Sequence, residues 1–158
     1  MKRSIEASAQ RLSHNIECDT ILAEKYWLNV PTSEISPHIF ENYTARHLLE
    51  LAEGDIIVAG DNFGCGVFHA NVTAALKARK VSCIVASSIN RLFFRNAINI
   101  GLPLVINDQA FDKITTGEII KIDFEKGEIT CKKGSLLFSP YPDFMIKFLS
   151  AGGLIGNA

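Results

Sequence analysis

The residues of this chain best placed for chemistry cluster around three glycines. They form the run Gly60-Asp61-Asn62-Phe63-Gly64-Cys65-Gly66, continued by Val67-Phe68-His69-Ala70-Asn71. Glycine lets a backbone approach a ligand closely, and the free N–H groups and positive dipole end of a following helix favour a carboxylate or phosphate. The spacing is neither the dinucleotide GxGxxG nor a P-loop, since no Lys-Ser/Thr pair follows. Cys65 lies between two glycines near a helix start, where a thiolate is favoured. A reactive thiol and a small residue filling a tight turn are both open. His69 falls at or near the helix start, where the dipole favours the neutral ring. It reads either as a proton acceptor or as a surface or capping histidine. Asn71 can bond the loop or cap the helix.

The elements that must position these residues are legible from periodicity. Ile56-Ile57-Val58-Ala59 is a buried strand, Val72 to Lys80 has helical spacing, and Cys83-Ile84-Val85-Ala86 is a second strand. A helix over Ile89 to Ile100 is closed by Gly101 and Pro103, and Leu104-Val105-Ile106 is the next strand. This βαβαβ order favours parallel pairing with helices on a sheet face. Strands are expected at 119–123, 128–131 and 135–138, with a hairpin connection over Asp123 to Glu128 containing Gly127. A last helix runs from Asp143 to Ser150 and ends at Gly152-Gly153. Residues 1 to 14 are polar and are expected to be a loose helix or a frayed arm. Asp19 to Tyr26 reads as a turn and strand end, and Ile39 to Leu51 as a helix. Arg91 and Arg95, at i and i+4, fit an amphipathic helix facing water; one of them beside the glycine loop would be an anion clamp.

Composition narrows the classes. At 158 residues the chain is expected to be one domain, 1–158, with 47% apolar and 21% charged residues as in ordinary globular proteins. A net charge of −1 argues against nucleic acid as the main partner. No apolar run reaches membrane-spanning length, and Met1-Lys2-Arg3-Ser4-Ile5-Glu6 has no signal-peptide core, so the expectation is a cytoplasmic protein without a membrane partner. Cys18, Cys65, Cys83 and Cys131 are scattered without a CxxC pair, so no metal site and no cofactor are expected in this chain alone. Cys83, within a strand run, reads as buried packing.

Longer words carry a resemblance. Gly54-Asp55-Ile56-Ile57-Val58-Ala59-Gly60, Asn62-Phe63-Gly64-Cys65-Gly66, Ala75-Leu76-Lys77, Ser88 and Arg91-Leu92-Phe93-Phe94-Arg95-Asn96-Ala97-Ile98-Asn99-Ile100-Gly101-Leu102-Pro103 resemble the core of the isopropylmalate dehydratase small subunits, the swivel domain of the aconitase superfamily. Asn15-Ile16-Glu17-Cys18-Asp19-Thr20-Ile21-Leu22 is similar to that family's NIDTDxIIP segment. Gly117-Glu118, the hairpin Asp123 to Gly127 and the ending Phe144-Met145 to Leu154 fit its C-terminal part, so nearly the whole chain is covered. The resemblance implies a three-layer β/β/α swivel fold.

It also implies a function with a departure in it. Members of the family pair with a large subunit carrying a [4Fe–4S] cluster and interconvert hydroxy-diacids by removing and re-adding water. The resemblance thus implies a large-subunit partner and a hydroxy-diacid substrate, with a homo-oligomer open for the isolated chain. The family's loop reads GCG-SSREH, with the first serine as base and the arginine as carboxylate clamp; here those places are Val67 and His69. Valine carries no proton, and histidine lacks the guanidinium fork. His69 is therefore the catalytic candidate, and Asn62, Gly64, Cys65, Gly66, Asn71, Asp19 and Lys25 are the substrate-binding candidates. Lys25 stands for an arginine of the family's PARYL stretch, Asn71 for its histidine, and Asp19 for an acid near its cleft or else a plain turn aspartate. Tyr26 and Trp27 read as a recognition surface or as packing. Val67 and Phe68 fit a more apolar ligand or, as expected here, a loop that turns both into packing contacts. A non-catalytic scaffold or regulator and a free-standing carboxylate sensor are the competing functions.

Overall fold

The computed structural model describes residues 3–45 and 51–153. Seven strands, β1 (Ser4–Arg11), β2 (Ile56–Ala59), β3 (Cys83–Ala86), β4 (Leu104–Ile106), β5 (Ile119–Asp123), β6 (Glu128–Cys131) and β7 (Gly134–Leu137), form one sheet in the order β4-β3-β2-β1-β5-β6-β7. Among the described residues, six helices accompany them: α1 (Cys18–Ile21), α2 (Thr32–Ile35), α3 (Ala70–Ala78), α4 (Arg91–Asn99), α5 (Ala110–Lys113) and α6 (Asp143–Ser150). Short 3-10 turns cover Glu24–Tyr26 and Ser36–His38.

The sheet curls because β1 changes partner along its length. Its first half pairs antiparallel with β5 from Ser4↔Asp123 to Ser8↔Ile119, while Ala9 to Arg11 pair parallel with Ile56 to Val58. The parallel half is thereby laid over the antiparallel half. Alternation along β2 and β3 feeds two cores at once. Ile56, Val58, Cys83 and Val85 meet Ile120, Ile122, Phe124 and Ile129 between the two sheet halves. Ile57, Ala59, Ile84 and Ala86 meet Val72, Leu76 and Phe93 of α3 and α4 on the other face. This is the three-layer β/β/α arrangement. The strands β2 and β3 are buried on both sides, which is why they read as continuous apolar runs rather than alternating ones. Asn107 bridges the far ends of the curl, donating from Nδ2 to the Leu137 carbonyl at 2.8 Å while its Oδ1 accepts from the N–H groups of Gln109 and Ala110.

Three expectations fail near the N-terminus. Residues 4–11 are neither a loose helix nor a frayed arm but the central strand of the sheet. Their polar composition hides this, because small side chains such as Ala7, Ser8 and Ala9 occupy the place where the sheet bends. Asp19 to Tyr26 holds α1 and a 3-10 turn instead of a strand end. The helix expected over Ile39 to Leu51 is absent from 39–45, which are turns around a left-handed Phe40, φ 62°; residues 46–50 lie outside the described residues. From β2 onward the expected elements fall within two residues of their limits, and the short α5 is an addition the sequence did not announce; Asn90 caps α4 through bonds from the N–H groups of Leu92 and Phe93.

Glu118 ties the start of β5 to the rest. Its carboxylate accepts from the N–H groups of Lys132 at 2.6 Å and Thr115 at 3.0 Å, and its carbonyl accepts from the Ala9 N–H at 2.8 Å. Burial pushes this carboxyl up, but the two backbone donors and the nearby Lys132 charge outweigh it and hold it below the usual carboxylate range. A folded value below the unfolded one stabilises above the unfolded range and loses that contribution as pH falls through the folded value. Glu118→Ala should therefore cost about 1–3 kcal/mol near neutrality. Thermal unfolding across pH checks it: the gap between the two proteins closes below about pH 4, whereas a constant gap would place the effect elsewhere.

Candidate functional site

The glycine loop leaves β2 and is clamped on both sides by backbone. On one side the Asn15 N–H donates to the Asp61 carbonyl at 2.7 Å, the Gly64 N–H to Ile16 at 2.8 Å and the Cys18 N–H to Cys65 at 2.9 Å. On the other, the Phe63 N–H donates to Ser88 at 3.0 Å and the Asn90 N–H to Phe63 at 2.8 Å. Threading both clamps requires left-handed backbone at alternate positions: Asn62 at φ 60°, Gly64 at 76° and Gly66 at 81°. Gly64 also lies against the Phe93 ring, where a Cβ would come within 2.6 Å of Cγ. Phe93 in turn packs edge-on to Phe63 at 5.3 Å and to Phe68 at 6.4 Å.

Beyond Cys65 the loop's backbone pairing stops. Among the described residues, the N–H groups of Gly66, Val67, Phe68, His69 and Ala70 donate to no protein acceptor. This run leads into α3. His69 is the N-cap of α3, its Nδ1 accepting from the Asn71 N–H at 3.1 Å. That bond assigns the lone pair to Nδ1 and leaves Nε2 as the donor in the neutral ring. The ring stacks on Trp27 at 5.9 Å, and the Trp27 indole N–H donates to the Leu22 carbonyl at 2.7 Å.

In front of this stretch lies an open cavity of about 350 Å³ lined by Glu17, Asp19, Glu24, Trp27, Gly66 and Val67. Glu17 and Asp19 sit at the start of α1, and Asp19 Oδ1 accepts from the Glu24 N–H at 2.9 Å. Three acidic residues thus share the cavity lining with the apolar Trp27 and Val67 and with the first two residues of the unpaired run, Gly66 and Val67. A separate depression of about 400 Å³ on Arg11, Tyr43, Phe111 and Thr116 touches none of the loop residues. Among the described residues, no group of three or more His, Cys, Asp or Glu side chains could hold a metal ion.

Of the residues singled out from sequence, Asp19 and Gly66 line the cavity. The others support it. Asn62 donates from Nδ2 to Asn15 Oδ1 at 2.8 Å and from its backbone N–H to Ser88 Oγ at 2.8 Å. Asn71 Nδ2 donates to the Trp27 carbonyl at 2.9 Å, pinning the 3-10 turn to α3. Lys25 is exposed, with Nζ 5.1 Å from the Tyr26 ring centre. Phe68 packs as expected, but Val67 does not: it is 75% exposed at the cavity rim. Arg91 and Arg95 are exposed and, among the described residues, pair with no acid. Glu17 and Glu24 were not singled out. The available signal was the pattern Ile16-Glu17-Cys18-Asp19, whose two buried apolar members force the acids outward.

The cysteines are correspondingly quiet. Burial, helped by the charge of Glu17, pushes the Cys65 thiol up rather than down, so the expected thiolate preference is reversed. Cys18, buried and donating from Sγ to the Gly64 carbonyl at 3.2 Å, is pushed up to about 12, burial again being the main cause. Alkylation of the native chain near pH 7 should be slower at Cys65 than at a free cysteine, whose pKa is about 8.5, and should accelerate on unfolding. Site-resolved mass spectrometry reads it; faster labelling of Cys65 in the folded protein would contradict this environment.

The chain matches the aconitase C-terminal domain family over residues 1–109. It is 38% identical over 152 residues to the 3-isopropylmalate dehydratase small subunit of Caldicellulosiruptor saccharolyticus, covering 95% of this chain and 88% of that one. It is 40% identical over 149 residues to 3-isopropylmalate dehydratase small subunit 1 of Archaeoglobus fulgidus, covering 93% and 92%. It is 37% identical over 152 residues to the 2,3-dimethylmalate dehydratase small subunit of Eubacterium barkeri, covering 95% and 92%. The crystal structure of 3-isopropylmalate dehydratase from Methanocaldococcus jannaschii superposes with a TM-score of 0.85 at 30% identity, covering 97% and 92%.

Proposed function

Since the chain belongs to the aconitase C-terminal domain family and, within it, to the 3-isopropylmalate dehydratase small subunits, we propose that it is the small subunit of a hydro-lyase acting on a branched hydroxy-diacid. The observation that carries this is the clamped glycine loop, whose unpaired N–H groups run from 66 to 70 into α3 and whose Gly66 and Val67 line a cavity. Such a run of N–H groups at a helix start is a site for a substrate carboxylate. Nε2 of His69, with Nδ1 committed to the Asn71 N–H, is a further donor at the position of the family's arginine.

This half of the site is incomplete alone. Glu17, Asp19 and Glu24 surround the cavity, and a dianion brought there by itself would be repelled. Cationic groups must come from a partner, which is the large subunit implied by the family. A [4Fe–4S] cluster, as the family implies, would be carried by that subunit and would supply Lewis-acid chemistry for the departing hydroxyl. This chain's residues bind a carboxylate, orient the substrate and close the cleft against water. The surface carries side chains suited to docking: Leu28, which follows the cavity-lining Trp27 in sequence, is 69% exposed, and Leu92 on α4 is 59% exposed.

Reconstitution with a large subunit of the same family tests the proposal. The complex should interconvert isopropylmalate or dimethylmalate with the corresponding alkene diacid, followed by ultraviolet absorbance, while the small subunit alone binds neither diacid in calorimetry at millimolar concentration. His69→Arg should lower KM severalfold and His69→Ala raise it. An assembled complex inert toward both substrates would instead favour a scaffold or regulator. Docking is read separately: Leu28→Asp and Leu92→Asp should each weaken subunit association at least tenfold, about 1.4 kcal/mol, in sedimentation or interferometry, and unchanged affinity would move the interface elsewhere.

A further inference from the structure

Position 67 raises a question that the hydro-lyase proposal leaves unanswered: which group takes the proton? Val67 has no ionisable group, and His69 has its lone pair turned to the Asn71 N–H. The titratable side chains lining the cavity are Glu17, Asp19 and Glu24. Asp19 is engaged through Oδ1 by the Glu24 N–H, and Glu24 lies beyond it on the 3-10 turn.

Glu17 differs from both. It forms an isolated parallel bridge with Cys65, so its backbone runs alongside the loop. A Cβ at Gly66 would stand 3.8, 3.9 and 4.0 Å from the Glu17 Cβ, Cγ and Cδ, which places the carboxyl carbon next to the residue preceding Val67. The side chain itself makes no hydrogen bond among the described residues. Its backbone, by contrast, is fixed: the Glu17 carbonyl accepts from Thr20 at 3.0 Å and Ile21 at 3.1 Å. The carboxylate is close enough for its charge to raise the thiols of both Cys65 and Cys18. An unengaged acceptor on a fixed backbone therefore stands beside the N–H groups that would hold a substrate carboxylate.

We infer that Glu17 is the proton acceptor of this small subunit, a carboxylate on the segment leaving β1 that replaces the hydroxyl missing from position 67. The inference rests on the hydro-lyase reading above. In the dehydration direction a Glu17 oxygen takes the proton from the carbon adjacent to the bound carboxylate. The C–H electron pair becomes the new C=C bond, and the C–O bond to the neighbouring hydroxyl breaks, the hydroxyl leaving as water after taking up one proton from solvent; Glu17 then releases its proton to solvent, which restores the carboxylate. The sum is hydroxy-diacid to alkene diacid plus water. In hydration the proton held on Glu17 returns to carbon. The short reach from Gly66 is the geometric requirement, since a base must lie within hydrogen-bond reach of the proton it removes.

The test uses the assembled complex with wild type, E17Q, V67S and the E17Q/V67S double variant, assembly being verified by gel filtration. E17Q keeps the side chain's size and removes the acceptor. Expected is a loss of about 10²–10⁴-fold in kcat for E17Q at unchanged subunit affinity, with loss of deuterium exchange from solvent into recovered substrate. V67S in the E17Q background should restore at least tenfold, because a hydroxyl at 67 returns an acceptor. An E17Q complex within threefold of wild type overturns the inference and leaves the hydro-lyase reading standing. So does a wild-type complex that is inactive while V67S is active. A loss in E17Q that V67S does not rescue assigns Glu17 to positioning and overturns it as well. Inactivity of all four assembled complexes, or failure to assemble, removes the hydro-lyase reading and the inference together.

Discussion

The structure depends on one constraint: the chain leaving β2 must run between two other segments and hydrogen-bond to both. The Gly60–Gly66 loop meets residues 15–18 on one side and 88–90 on the other, through five backbone bonds. The run departs from an extended strand: Asn62, Gly64 and Gly66 adopt left-handed conformations in turn, at φ 60°, 76° and 81°. The Phe93 ring fills the space a side chain at Gly64 would need. What this clamp achieves is local rigidity just ahead of α3. The last paired group is at Cys65, and the N–H groups that follow are held in place without being consumed.

Electrostatics then divides the work between chains. Within its own fold this protein places acids where they are satisfied: Glu118 on two backbone N–H groups, and Asp19 on the Glu24 N–H. Around the cavity it brings Glu17, Asp19 and Glu24 together with no cation among the lining residues. Like charges gathered at a surface raise the free energy of the isolated chain, and they are neutralised when a cationic partner covers them. Leu28 and Leu92 are exposed apolar side chains on the same chain, and such surface also favours covering. On the proposed function, the acids that repel a lone dianion are also those a cationic partner would cover.

Legibility from sequence followed burial. β2, β3 and the strands from 119 to 137 show their periods directly, because each face has one fate along its length. β1 does not, since its two halves pair with different partners and its faces change role midway. The tertiary context overrides a polar, weakly patterned segment. The loop was legible through its glycines and through resemblance. Its side-chain geometry was not. Asn71 is a pin for the Trp27 carbonyl, and Asn62 a brace against Asn15, roles that depend on segments far apart in sequence. Cys65 is open from sequence between a reactive thiol and a small turn residue; helix proximity favours a thiolate, while burial and Glu17 push the other way. Glu17 went unnoticed because the alternation Ile16-Glu17-Cys18-Asp19 is too short to stand out as a period.

The pattern of substitution in the loop has a physical logic. Gly64, Gly66, Asn62 and Asn71 each satisfy a backbone conformation or a hydrogen bond that the fold requires. Position 67 satisfies none, since its side chain projects at 75% exposure, and a valine there changes neither the clamp nor the helix. Position 69 is intermediate: histidine supplies the N-cap acceptor for α3, a service that an arginine side chain cannot perform. The replacements at 68, 69 and 71 take up structural work, packing on Phe93, capping α3 and pinning the Trp27 carbonyl. The change at 67, which the fold leaves free, is set by what the cavity must bind and by which group moves the proton, not by stability. Val67 widens the apolar wall beside Trp27, and the acceptor then has to come from a neighbouring segment that the clamp holds at short range, which is where Glu17 stands.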